Sequence, residues 1–136
     1  MRQILAIAIV TMVFSSFTGC GGPEVRRCGS VVGLRNEKVA EYKALQKAVP
    51  PEVEELYKES NFRNYSIYVR QLDNGKFYLF SYYEYVGDDY AADLEKLSAN
   101  PKMREWFKTT DPCQVPIDPQ VRGDWWTEME EIYHLE

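Results

Sequence analysis

The sequence predicts an α+β domain with the element order β-α-β-β-α-β. In this ferredoxin-like plan, a four-stranded antiparallel sheet carries both helices on one face. Three observations predict it. The tight-turn tripeptide Asp73-Asn74-Gly75 separates two runs rich in β-formers, which marks a hairpin. Breaker-free segments with helical spacing precede and follow that hairpin. Strand-like runs stand at the two ends of the arrangement.

The first strand is expected over residues 28–34, CGSVVGL. Asn36 is expected to cap the first helix, with Glu37 in its first turn. Residues 37–48 lack breakers and place Val39, Tyr42, Gln46 and Val49 on one stripe. Pro50-Pro51 interrupts this helix, and Pro51 can begin a second stretch over 52–59, because its missing N–H costs nothing there. Residues 64–72 and 76–85 form the hairpin strands. On the second of these, Tyr78, Phe80 and Tyr82 face one way and Phe77, Leu79, Tyr83 and Tyr85 the other. Asp88 or Asp89 caps the next helix, which carries Ala91, Leu94 and Leu97. Asn100-Pro101 restarts it as a cap followed by a first-turn proline, and this segment runs to about residue 108. Residues 109–124 read as loop, 125–129 are ambiguous, and 131–135, EIYHL, read as the final strand.

Both sheet faces are apolar or aromatic at nearly every position, and an exposed aromatic face is an association hazard. The expected assembly is a homodimer with sheet packed on sheet, a dimeric α+β barrel.

Residues 1–20 divide off as a leader: Arg2 precedes an uncharged apolar run that closes on Phe17-Thr18-Gly19-Cys20. The run is short for a membrane span and fits a secretory signal. Its end resembles a bacterial lipobox, with Cys20 as the lipidated first residue of the mature chain. Residues 21–27 form a short tether, and 28–136 the domain. The expected location is an exported lipoprotein, touching the membrane through its lipid anchor only and facing the periplasm or exterior. Cys28 and Cys113 remain, either as a disulfide or as two separate thiols.

The formal charge of −5 argues against nucleic acid as a partner, because phosphate contacts need a basic stripe. The single histidine, His134, excludes multi-histidine metal sites. There is no glycine-rich phosphate loop, Cys-x-x-Cys or Gly-x-Ser-x-Gly. What stands out is polar side chains beside large aromatics: Tyr42 and Gln46 on one stripe, and Trp106-Phe107 on the last helix. Glu84 lies mid-strand among tyrosines, as an acid or base or as an acceptor of tyrosine hydroxyls. His134, alone on its strand, is either a hydrogen-bonded structural residue or a proton-transfer group.

Residues 32–136 resemble the L-rhamnose mutarotases, a family of small dimeric α+β proteins. The resemblance runs through Glu41-Tyr42-Lys43, Pro51-Glu52-Val53, Asn64-Tyr65-Ser66-Ile67-Tyr68, Tyr78-Leu79-Phe80-Ser81-Tyr82, Glu105-Trp106-Phe107 and residues 129–135, MEEIYHL. It implies interconversion of the α and β anomers of L-rhamnose or a related deoxysugar, with no cofactor. Ring opening needs one group to protonate the ring oxygen and another to take the anomeric hydroxyl proton. Tyr42 matches the family's helix tyrosine, expected to bind substrate or move a proton. The family's histidine falls on Gln46, its Trp-Trp pair on Trp106 and Phe107, and a tryptophan before Pro-Glu on Pro50. An amide is neither acid nor base near neutral pH. Two functions follow: a pyranose mutarotase in which Tyr42 and Glu84 or His134 move protons, or a sugar-binding lipoprotein that has lost the reaction.

Overall fold

A computed structural model describes residues 24–117 and 125–136; the leader with Cys20, and residues 118–124, lie outside the described residues. Nine-residue β1 (Arg26–Leu34) leads through a 3-10 turn (Asn36–Lys38) into α1 (Val39–Gln46) and α2 (Pro51–Glu59). The hairpin β2 (Phe62–Gln71) and β3 (Phe77–Tyr85) follows, then α3 (Tyr90–Ala99) and α4 (Pro101–Thr110). A second 3-10 turn (Asp111–Cys113) opens into the short strands β4 (Gln114–Val115) and β5 (Thr127–Met129).

The sheet runs β2-β3-β1, and β4 and β5 both pair with the outer edge of β1. All pairings are antiparallel. β4 and β5 share one lane. Val115 stands opposite Gly33, Thr127 opposite Val31, and Met129 opposite Gly29. The fourth strand of the plan is therefore present but split into two short pieces.

This corrects the expectation for the C-terminus. Residues 131–135 form no strand; the lane beside β1 is filled by 114–115 and 127–129 instead. The alternation in EIYHL finds nothing among the described residues to bury against, and Ile132 is 89% exposed. Gly33 is what lets β4 approach. A Cβ there would stand 2.7 Å from the carbonyl oxygen of Val115, closer than packed atoms tolerate.

Proline and asparagine set the breaks between helices. Pro51 sits in the first turn of α2. Asn100 ends α3 and starts α4, its Oδ1 accepting from the Lys102 amide at 2.9 Å. Asp89 Oδ1 accepts from the Ala92 amide at 3.1 Å, the expected cap of α3. Asn36 is not a cap. Its Nδ2 donates to the Gly75 carbonyl (3.1 Å) and its Oδ1 accepts from the Phe77 amide (3.4 Å). The hairpin turn competes for the side chain and wins, leaving α1 without a side-chain cap. Gly75 takes φ 74° in that turn, a left-handed conformation that suits glycine.

The helix-facing side of the sheet carries Val32 and Leu34 from β1 and Leu79 and Tyr85 from β3, all buried. Val53, Leu97 and Met103 close one half of the core from the helices, and Tyr42 closes the other. Cys28 and Cys113 are separate buried free thiols.

On β2, strict alternation inward from Val69, Ile67 and Tyr65 would next bring Arg63 into the core. A register shift between Arg63 and Ser66, with Asn64 at φ 50°, prevents this. Phe62 turns inward at 4% exposure and Arg63 faces out. A bulge of this kind re-aims side chains at the cost of one unpaired residue.

The opposite sheet face has no covering layer among the described residues. Tyr68 is 63% exposed on it, opposite Phe80 in the strand register.

Candidate functional site

A cavity of about 1020 Å³ opens between the helix-facing side of β2 and the elements α1, α2 and α4. It is large enough for a small ligand. Each element contributes through its local pattern. Tyr42 and Gln46, four residues apart, lie one above the other on α1 and both line the cavity. Tyr57 comes from α2, Trp106 and Phe107 from α4, and Tyr65 from β2 just past the bulge. The tyrosines form a cluster: ring centroids are 5.1 Å apart for Tyr57 and Tyr65, and 5.5 Å for Tyr65 and Tyr83, all edge-to-face.

Tyr42 is the most enclosed polar group on the α1 wall, at 3% exposure. Gln114 Nε2 donates to its phenol oxygen at 3.4 Å. Burial raises the Tyr42 pKa, and hydrogen bonding from Gln114 and Gln46 opposes that rise. Burial likewise lifts Tyr57 and Tyr65 well above the ordinary tyrosine value. All three phenols are therefore neutral near pH 7, with O–H groups to donate.

Gln114 itself is buried, and its Oε1 has no hydrogen-bond partner among the described residues. Leaving such an atom unpaired costs about 1–3 kcal/mol. A ligand hydroxyl entering the cavity would satisfy it. Asp111, at the start of the same turn, also lines the cavity, and burial raises its carboxyl pKa.

The structure thus brings together four of the residues that the sequence singles out: Tyr42, Gln46, Trp106 and Phe107. It does not bring Glu84 or His134 to this cavity. Glu84 lies on the opposite sheet face, where Oε2 accepts from Asn64 Nδ2 (2.6 Å) and Oε1 from the Tyr82 hydroxyl (2.9 Å). That is the hydroxyl-acceptor alternative for this carboxylate. His134 is exposed in the strandless C-terminal segment.

Tyr57, Tyr65, Asp111, Gln114, Trp125 and Trp126 join the cavity without having been singled out. Tyr65 sits within the Asn64-Tyr65 pair that contributes to the family resemblance, and this was the available signal. Asp111 and Gln114 had none, because they fall in a proline-rich stretch that reads as loop. Chemically, the cavity offers aromatic faces for C–H surfaces, neutral phenols as donors, the amides of Gln46, Asn64 and Gln114, and two carboxyls, Asp111 within it and Glu54 at its exposed rim.

The fold and the family can be compared with known proteins on this basis. A family model described as L-rhamnose mutarotase matches residues 27–135. Among solved structures, an L-rhamnose mutarotase from Formosa agariphila superposes with a TM-score of 0.61 at 21% identity, covering 82% of this chain and 99% of that one. Tetracenomycin F2 cyclase from Streptomyces glaucescens, a type-II polyketide cyclase, gives 0.59 at 16% identity, covering 82% and 97%. No curated protein matches. At such identities the two structures speak to the architecture alone, while the family match extends over nearly the whole described domain, from β1 to the C-terminal segment. The chain belongs to the L-rhamnose mutarotase family.

Proposed function

We propose that this protein is a pyranose mutarotase that interconverts the anomers of L-rhamnose or a related deoxysugar. The observation that carries the reading is the phenol of Tyr42, buried and held by Gln114 inside an aromatic-walled cavity with ample room for a sugar. Family membership supports the same reaction. In it, Trp106 and Phe107 pack against the sugar's C–H surfaces, and Gln46 and Gln114 orient its hydroxyls. Tyr42 donates toward the ring oxygen as the C1–O5 bond opens. Exchange-transfer NMR with purified protein, L-rhamnose and L-fucose tests it. Anomer exchange faster than in buffer supports the reading; exchange at the spontaneous rate for both sugars, with no binding, defeats it.

The working unit is a homodimer. The uncovered sheet face, with Tyr68, Phe80 and Tyr82 on it, is too aromatic to remain in water. A second copy packed sheet to sheet would cover it. Light scattering is expected to return the dimer mass, and a monodisperse monomer at micromolar concentration would refute this.

The domain is tethered to its membrane by lipid on Cys20. Cys20→Ser is expected to release it from the membrane fraction after export. A wild-type protein that is already soluble after export would defeat the tether.

A further inference from the structure

Opening a pyranose ring needs a base for the anomeric O1–H as well as a donor for the ring oxygen O5. Tyr42 supplies the donor in the reading above. Its two amide neighbours, Gln46 and Gln114, cannot supply the base. The exposed Lys43, Lys47, Glu54, Lys58 and Arg63 stand at the rim of the cavity, in contact with bulk water.

Asp111 is placed differently. It closes α4 and opens the following 3-10 turn, and its carbonyl accepts from the Gln114 amide. The carboxyl and the amide that reaches Tyr42 are thus carried on one short turn. Its side chain lines the cavity, half-buried, and its charge acts on the phenols of both Tyr42 and Tyr57. Among the described residues no lysine or arginine forms an ion pair with it. Among the described residues the carboxylate is therefore uncommitted, and it lines the same cavity as Tyr42.

Resting on the mutarotase reading, we propose that Asp111 is the general base that removes the anomeric hydroxyl proton. The carboxylate takes the proton from O1. The O1 electron pair forms C1=O1, and the C1–O5 bonding pair moves onto O5, which takes the proton of the Tyr42 phenol. Rotation about C1–C2 presents the other face of the aldehyde. As O5 attacks C1, its proton returns to the Tyr42 phenolate, and the Asp111 carboxylic acid returns its proton to O1. No proton or electron is gained or lost over the cycle. Burial makes this carboxylate more basic than a surface aspartate, which suits a base.

The test compares wild type with Asp111→Asn, Asp111→Glu and the double variant Asp111→Asn/Gln46→His. Anomer exchange is read by NMR with L-rhamnose and L-fucose, sugar binding by tryptophan fluorescence, and folding by circular dichroism. Asp111→Asn is expected to lose at least about 10²-fold in exchange while still folding and binding sugar. Asp111→Glu keeps the carboxyl and is expected to lose less. The double variant, with an imidazole one turn after Tyr42, is expected to regain at least about tenfold over Asp111→Asn. A folded Asp111→Asn as fast as the wild type overturns the assignment and leaves the mutarotase reading standing. A folded Asp111→Asn that loses binding along with exchange assigns Asp111 to the shape of the pocket and also overturns it. A wild type that neither binds nor exchanges these sugars overturns the mutarotase reading, and this assignment with it.

Discussion

Replacing Tyr42 by phenylalanine is expected to slow anomer exchange by about 10²–10⁴ while leaving the domain folded. The ring of Tyr42 packs with Val32, Leu34 and Leu79, and phenylalanine keeps that packing. Only the hydroxyl is lost, and with it the donor to O5. The same change strips Gln114 Nε2 of its partner, on a side chain whose Oε1 already has none among the described residues. Stability should therefore fall by about 1–3 kcal/mol, the cost of one buried unpaired amide. Exchange NMR and urea unfolding separate the two effects. An unchanged rate in a destabilised variant would make Tyr42 a structural residue only.

The largest loss of stability is expected at Leu79. It lies on β3, the strand with long partners on both sides, directly opposite Val32 and Val69 and 1% exposed. Leu79→Ala removes three carbons from a place where the paired backbones prevent collapse into the gap. Such truncations cost about 2–5 kcal/mol, against about 5–15 kcal/mol for a whole domain. Urea midpoints are expected to drop accordingly with an unchanged slope. A shift worth under about 1 kcal/mol would show that the site repacks more freely than its burial indicates.

The elements best specified by the sequence are those whose signals are local. Asp89 and Asn100 supply their own caps, Pro51 starts α2 on its own ring geometry, and Asp73-Asn74-Gly75 turns the hairpin without outside help. Elements decided by distant partners were not specified in this way. β4 is two residues long and exists because β1 offers an edge and Gly33 offers room. The alternating residues 131–135 have strand chemistry, but the pairing with β1 stops at Met129 and, among the described residues, leaves only the Arg27–Glu131 ion pair beyond it. Asn36 has cap chemistry, but the hairpin turn lies close enough to claim it. The site divides in the same way. Tyr42 and Gln46 share a helical stripe that spacing reveals, and the adjacent Trp106 and Phe107 stand where the family resemblance puts an aromatic pair. Asp111 and Gln114 reach the cavity only because a 3-10 turn at the end of α4 brings them back beside α1.

The split lane beside β1 bears on when this domain can finish folding. β1 is made about a hundred residues before β5: Gly29 waits for Met129, and Arg26 for the carboxylate of Glu128 at 3.3 Å. A chain growing from its N-terminus can close the hairpin and seat β3 against β1 while one edge of β1 still lacks its partner. That edge stays incompletely paired until residues 127–129 have been released. Contacts that span about a hundred residues also close slowly, because loop entropy must be lost before they form. The most vulnerable moment in the life of this protein is therefore the interval between the seating of β3 and the arrival of β5. A chain truncated before residue 127 would remain in that state permanently.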